Sequence, residues 1–110
     1  SLDNSNRLIA CHTIAEGDIN HIDINPRDIM ETVLLDNASR VLIAHNHPAG
    51  GAEPSANDVD LTLNVRNILS SVNVKLTDHI IVGERETLSM RSTQRFSRYF
   101  TKENQLDYNR

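Results

Sequence analysis

Val41-Leu42-Ile43-Ala44-His45-Asn46-His47-Pro48-Ala49-Gly50-Gly51-Ala52-Glu53-Pro54-Ser55-Ala56-Asn57-Asp58 reads as a buried strand, a glycine- and proline-rich turn and a helix start. Side chains alternate along an extended chain, so His45 and His47 share a face, and Pro48 favours extended backbone at His47. From Asp58 onward Leu61, Val65, Leu69 and Val72 recur at helical spacing, which puts Asp58 at the N-terminal end of an inward stripe. A carboxylate there is costly unless it is paired, hydrogen-bonded or bound to a metal. Two imidazoles and one carboxylate make three protein ligands for a tetrahedral Zn²⁺, with the fourth position left for water, as in a catalytic zinc site. A plainer reading stands beside it: Ser55-x-x-Asp58 is also a capping box. That reading accounts for Ser55 and Asp58 but not for the two histidines, each of which taken singly would be structural.

The flanking chain reads as an α/β domain. Arg7 to Ile14 and Ile19 to Ile24 form an expected antiparallel hairpin around Glu16-Gly17-Asp18, and Asn25-Pro26 starts a helix with Ile29, Met30, Val33 and Leu34 on one face, ended by Asn37. Val41 to His45 is the central strand. The helix from Ser55 runs to about Ser71, Val74 to Val82 is a further apolar strand, Gly83-Glu84-Arg85-Glu86 a tight connection and Thr87 to Met90 a short strand. The expected architecture is a mixed sheet with helices packed against it. Ser92 is read as the cap of a last helix over about 92–102, with Phe96, Tyr99 and Phe100 on one face and Arg91, Arg95, Arg98 and Lys102 on the other. That basic face is either a small surface for an anionic partner or an ordinary solvated face.

A chain of 110 residues supports one modest core, so a single domain over 1–110 is expected. No stretch has the length of a membrane span and the first residues contain no apolar signal-like region. Cys11 is the single cysteine, read as a small core residue, and together with a net charge of -4 it fits a reducing, cytoplasmic setting. The same charge argues against a nucleic-acid binder acting through its overall field. His21 reads as an edge or exposed histidine. Short edge strands leave self-association open.

The spacing His45-x-His47-x₇-Ser55-x₂-Asp58 resembles the metal motif of the JAMM (MPN+) metalloenzymes. The fuller text His45-Asn46-His47-Pro48-x-Gly50, with Asn25-Pro26-Arg27-Asp28-Ile29 upstream and Asp78-His79-Ile80-Ile81-Val82-Gly83 downstream, is similar to the RadC branch over about residues 5–90. The resemblance implies a JAB/MPN-like curved mixed β-sheet flanked by helices, of cytidine-deaminase-like architecture. It also implies one Zn²⁺ on His45, His47 and Asp58, with Ser55 stabilising the tetrahedral intermediate. RadC-like proteins carry a helix-hairpin-helix segment before this domain, which is expected to be absent here.

The general base is the incomplete part. In the JAMM pattern an early-strand glutamate serves, and the corresponding position holds His12. Glu16 is the nearest carboxylate, but four extended residues separate the two by roughly 13 Å. Three readings are open: Glu16 acts after a bulge or turn, His12 acts as the base, or His12 fills the open zinc position. Asp78 and His79 face opposite ways on their strand, so at most one reaches the metal side, as an outer hydrogen-bond partner or a structural polar group. The implied function is a zinc-dependent hydrolase of an amide or isopeptide bond in a peptide, protein or small molecule. The alternatives are a DNA-repair accessory domain and a non-catalytic interaction module.

Overall fold

The computed structural model describes residues 1–10, 25–47 and 51–100. The elements run α1 (Pro26–Leu35), β1 (Arg40–Asn46), α2 (Ala56–Ser71), β2 (Lys75–Val82), β3 (Thr87–Ser89) and a 3-10 turn over Ser97–Phe100. The sheet order is β1-β2-β3, with β1 and β2 parallel and β2 and β3 antiparallel. This is the expected α/β plan with a mixed sheet. Among the described residues no helix is long and apolar enough to cross a membrane.

Both helices begin and end for local reasons. Asn25 caps α1, its side chain accepting from Arg27 N at 3.0 Å, and Pro26 follows where no N–H is required. Each helix ends on an asparagine in the left-handed region, Asn37 at φ 52 and Asn73 at φ 59. Beyond them Ala38 N reaches Val33 O and Val74 N reaches Leu69 O, both at 2.9 Å, which closes two Schellman ends and sends the chain directly into β1 and β2. The capping of α2 by Ser55 completes a strand–helix–strand unit whose two strands are necessarily parallel neighbours.

The line of α2 that is truly buried is Asp58, Thr62, Val65 and Leu69, whereas Leu61 and Val72 of the expected stripe are only half-buried. Val65 and Leu69 sit in one core with Leu76, Ile81 and Met90, and α1 adds Ile29 and Val33. Leu69 is fully excluded from solvent. Leu69→Ala is therefore expected to cost about 2–5 kcal/mol of stability, measured by urea unfolding.

Pairing of β1 with β2 is not uniform. Val41 lies beside Leu76, but Leu42 lies beside Asp78, so Thr77 is passed over and the register shifts by one residue. Ile43 thereby neighbours His79, and His45 neighbours Ile81.

Expectations at both ends of the chain change. Of the predicted strand Arg7 to Ile14, the described part folds back on the first residues through an isolated antiparallel bridge of Leu8 to Leu2, which also bridges Arg40, with further backbone bonds from Asp3 N to Arg7 O and from Ile9 N to Ser1 O. Leu8 is 70% exposed rather than buried. The rest of that strand, the strand Ile19 to Ile24, Cys11, His12, Glu16 and His21 lie outside the described residues.

The predicted helix over 92–102 is replaced by turns and the short 3-10 segment. Asp78 Oδ1 accepts from Arg91 N at 2.9 Å and Ser89 Oγ from Ser92 N at 3.1 Å, so both backbone donors are drawn back toward the sheet. Phe96 and Phe100 are nevertheless buried. The arginines form no helical face: Arg91 donates to Thr77 O, Arg95 pairs with Glu53 at 3.0 Å, and Arg98 lies over Tyr99. Lys102 lies outside the described residues.

Candidate metal centre

β1 delivers His45 on the same face as Ile43, and His47 follows just past its end, where its N–H extends the pairing by donating to Val82 O at 2.8 Å. Across from them the first turn of α2 presents Asp58, 2% exposed. The three groups meet. His45 Nε2 is 2.9 Å from Asp58 Oδ1, His47 Nε2 is 3.2 Å from Asp58 Oδ2, and the two Nε2 atoms are 3.1 Å apart. Tetrahedral zinc with bonds of about 2.0–2.1 Å places its ligand atoms about 3.3 Å apart, close to these separations, two of which run to different oxygens of the one carboxylate. His45, His47 and Asp58 form a candidate metal-binding site.

The capping box is also present, and the two readings of Asp58 prove compatible. Ser55 N donates to Asp58 Oδ2 at 2.7 Å, and Asp58 N donates to Ser55 Oγ at 3.2 Å. The cap aims the carboxylate and the imidazoles receive it. Ser55 itself is exposed, and among the described residues its hydroxyl proton has no acceptor.

The imidazoles are held from behind. His47 Nδ1 lies 3.1 Å from Gly51 O. A carbonyl can only accept, so Nδ1 donates there, and a neutral His47 ring presents a bare Nε2 toward the site. The next N–H along, that of Ala52, donates to Glu86 Oε1 at 3.1 Å, so a carboxylate from the β2–β3 turn braces the peptide on which His47 leans. A side chain at Gly51 would press on that same oxygen at 3.1 Å, which is why glycine suits the position.

His45 Nδ1 lies 2.7 Å from His79 Nε2, and His79 Nδ1 lies 2.7 Å from Thr62 Oγ1. Burial pushes His79 down to about 4, with His45 and His47 acting in the same direction. Burial likewise holds His45 below the ordinary imidazole range, against the raising effect of Asp58. Both rings are therefore neutral near pH 7, as metal ligation requires.

Of the adjacent pair on β2, His79 faces the centre. Asp78 points away, accepting from His79 N at 2.7 Å, from Arg91 N, and from the Ser89 hydroxyl. It anchors β2 to β3 and the turn beyond. The sequence pattern alone does not single out Thr62 or Glu86. Thr62 had a signal available, since it lies one helical turn after Asp58 on the same line as Val65 and Leu69.

The RadC-like JAB domain family model matches residues 1–95. The chain is 41% identical over 88 residues to a UPF0758 protein of Alteromonas mediterranea, covering 80% of this chain and 39% of that protein. A UPF0758 protein of Stenotrophomonas maltophilia is 43% identical over 88 residues, 80% of this chain and 38% of its own length. The UPF0758 protein YkfG of Escherichia coli is 42% identical over 88 residues, 80% of this chain and 56% of its own length. The chain thus spans about two-fifths to just over half the length of these relatives. Both histidines, the capped aspartate and most of the chain fall within the stretch that the family model accounts for, and the chain belongs to the RadC-like JAB domain family.

Proposed function

We propose that this domain is a zinc-dependent hydrolase of the JAMM type that cleaves an amide or isopeptide bond. The observation that carries the reading is the convergence of two imidazole Nε2 atoms on one buried carboxylate, all within 2.9–3.2 Å. When bound there, zinc supplies Lewis acidity and lowers the pKa of water to about 7. The chain's own contribution is position and polarity. Asp58 is held by the Ser55 N–H, and His47 is turned by the Gly51 carbonyl. Ser55 stands at the N-terminus of α2, where unsatisfied backbone N–H groups favour negative charge, and with no acceptor among the described residues its hydroxyl proton is placed to donate to an oxygen that gains charge in the reaction.

Glu16 and His12 are the two candidates for the proton acceptor, and ligation of the metal by His12 would instead make the domain a metal-binding module without turnover. The substrate class is an amide of a peptide, a protein or a small molecule in the cytoplasm, and the net charge of -4 disfavours DNA.

The test combines zinc content per chain, zinc coordination by X-ray absorption, and hydrolysis of a panel of peptide and isopeptide amides. Ser55→Ala is expected to lower turnover about 100-fold with zinc content unchanged. Zinc bound through a third imidazole, with no turnover on any amide, would favour the non-catalytic module.

A further inference from the structure

We propose that Thr62 and His79 are positioning residues that lock the His45 ring in the tautomer whose Nε2 is bare toward the metal centre, the direction being set by the backbone carbonyl of Asp58. The inference deepens the metal-centre reading and takes its functional meaning from it.

Thr62 Oγ1 lies 2.8 Å from Asp58 O, an acceptor with no proton to offer, so the threonine hydroxyl must donate there. Its other acceptor contact, Met90 Sδ at 3.6 Å, is longer and weaker. With its one proton committed, the hydroxyl can only accept from His79 Nδ1 at 2.7 Å. His79 therefore carries its proton on Nδ1 and presents a bare Nε2. That atom, 2.7 Å from His45 Nδ1, must receive a proton from His45. The remaining nitrogen of His45, Nε2, is then left with its lone pair facing Asp58 and His47.

Reversing the whole relay would set the lone pairs of Thr62 Oγ1 and Asp58 O against each other at 2.8 Å, whereas the assigned direction leaves the bare Nε2 of His45 facing the Asp58 carboxylate at 2.9 Å and His47 Nε2 at 3.1 Å, lone pairs that a bound cation would satisfy. Thr62 and His79 are 0% and 1% exposed, so water offers no substitute partner. The relay begins on the backbone of Asp58, whose carboxylate is the third ligand. The first turn of α2 thus supplies one ligand and dictates the polarity of another. Outer partners of metal-bound histidines act in this way by fixing tautomer and ring orientation.

The test is tautomer determination by long-range ¹H–¹⁵N correlation on ¹⁵N-labelled, metal-free protein, at a pH above the histidine titration range. Both His45 and His79 are expected as Nδ1–H tautomers. Thr62→Val, which keeps shape but removes the hydroxyl, is expected to mix the tautomers of both rings and to weaken zinc binding about 10- to 100-fold in chelator competition. Thr62→Ser is expected to restore both. An Nε2–H tautomer for His45 in the unmodified protein would overturn the proposal whether or not the valine variant folds. Unchanged tautomers in a folded Thr62→Val protein would overturn it too. Failure of the unmodified protein to take up zinc, with the Nδ1–H pattern present, would overturn the metal reading and leave the relay supported.

Discussion

Asp58→Asn is expected to weaken zinc binding by more than about 100-fold, beyond the range that outer partners carry, while leaving α2 capped. Asparagine has the size of aspartate and keeps an amide oxygen able to accept from Ser55 N, the 2.7 Å contact that starts the helix. It loses the negative charge. Its NH₂ group would then take the place of Oδ1, donating to a bare His45 Nε2 and obstructing the candidate cation position. Chelator competition measures the affinity, and urea unfolding of the metal-free protein measures the cap. Zinc affinity equal to that of the unsubstituted protein would reduce Asp58 to a capping residue and remove the third ligand.

The metal-free protein is expected to lose on the order of 3 kcal/mol of folding stability between about pH 6.5 and pH 4, because of His79. The sign follows from where the proton binds. In the folded protein burial holds this ring down to about 4, whereas the unfolded chain titrates near the ordinary value of 6.5. Between those values the unfolded state binds more protons, so acid draws the equilibrium toward unfolding. The stabilisation is complete above about pH 6.5 and is lost progressively on descent to about pH 4. His45 is depressed for the same cause and adds in the same direction. Urea unfolding across this range measures the slope. His79→Gln, which keeps an acceptor for His45 and does not titrate, is expected to flatten most of it. A wild-type stability constant from pH 7 to 4 would contradict the neutral, buried state of His79.

The parts of the site legible in the sequence are those set by short-range geometry. Alternation along a strand puts His45 and His47 on one side, and the capping box fixes the turn on which Ser55 and Asp58 sit. Neither depends on distant residues, and the family resemblance rested on those same positions. The helix predicted over 92–102 shows the opposite case. Phe96, Tyr99 and Phe100 have helical spacing, yet the chain leaves β3 in turns, with Arg91 N donating to the distant Asp78 of β2 and Ser92 N to the nearby Ser89 hydroxyl. Local pattern cannot register a competitor that only folding brings near.

The strand–turn–helix frame, the candidate ligand set it brings together, and the limit that at most one of Asp78 and His79 faces the centre were all legible in the sequence. The tertiary structure alone decided which. With uninterrupted pairing Ile43 would neighbour Asp78, but the one-residue shift at Thr77 sets His79 there instead, on the face of His45. Because side chains alternate, a slip of one residue exchanges the two faces of a strand. That register is settled between strands separated by the whole of α2, and it is what places a neutral imidazole, rather than a second carboxylate, behind His45.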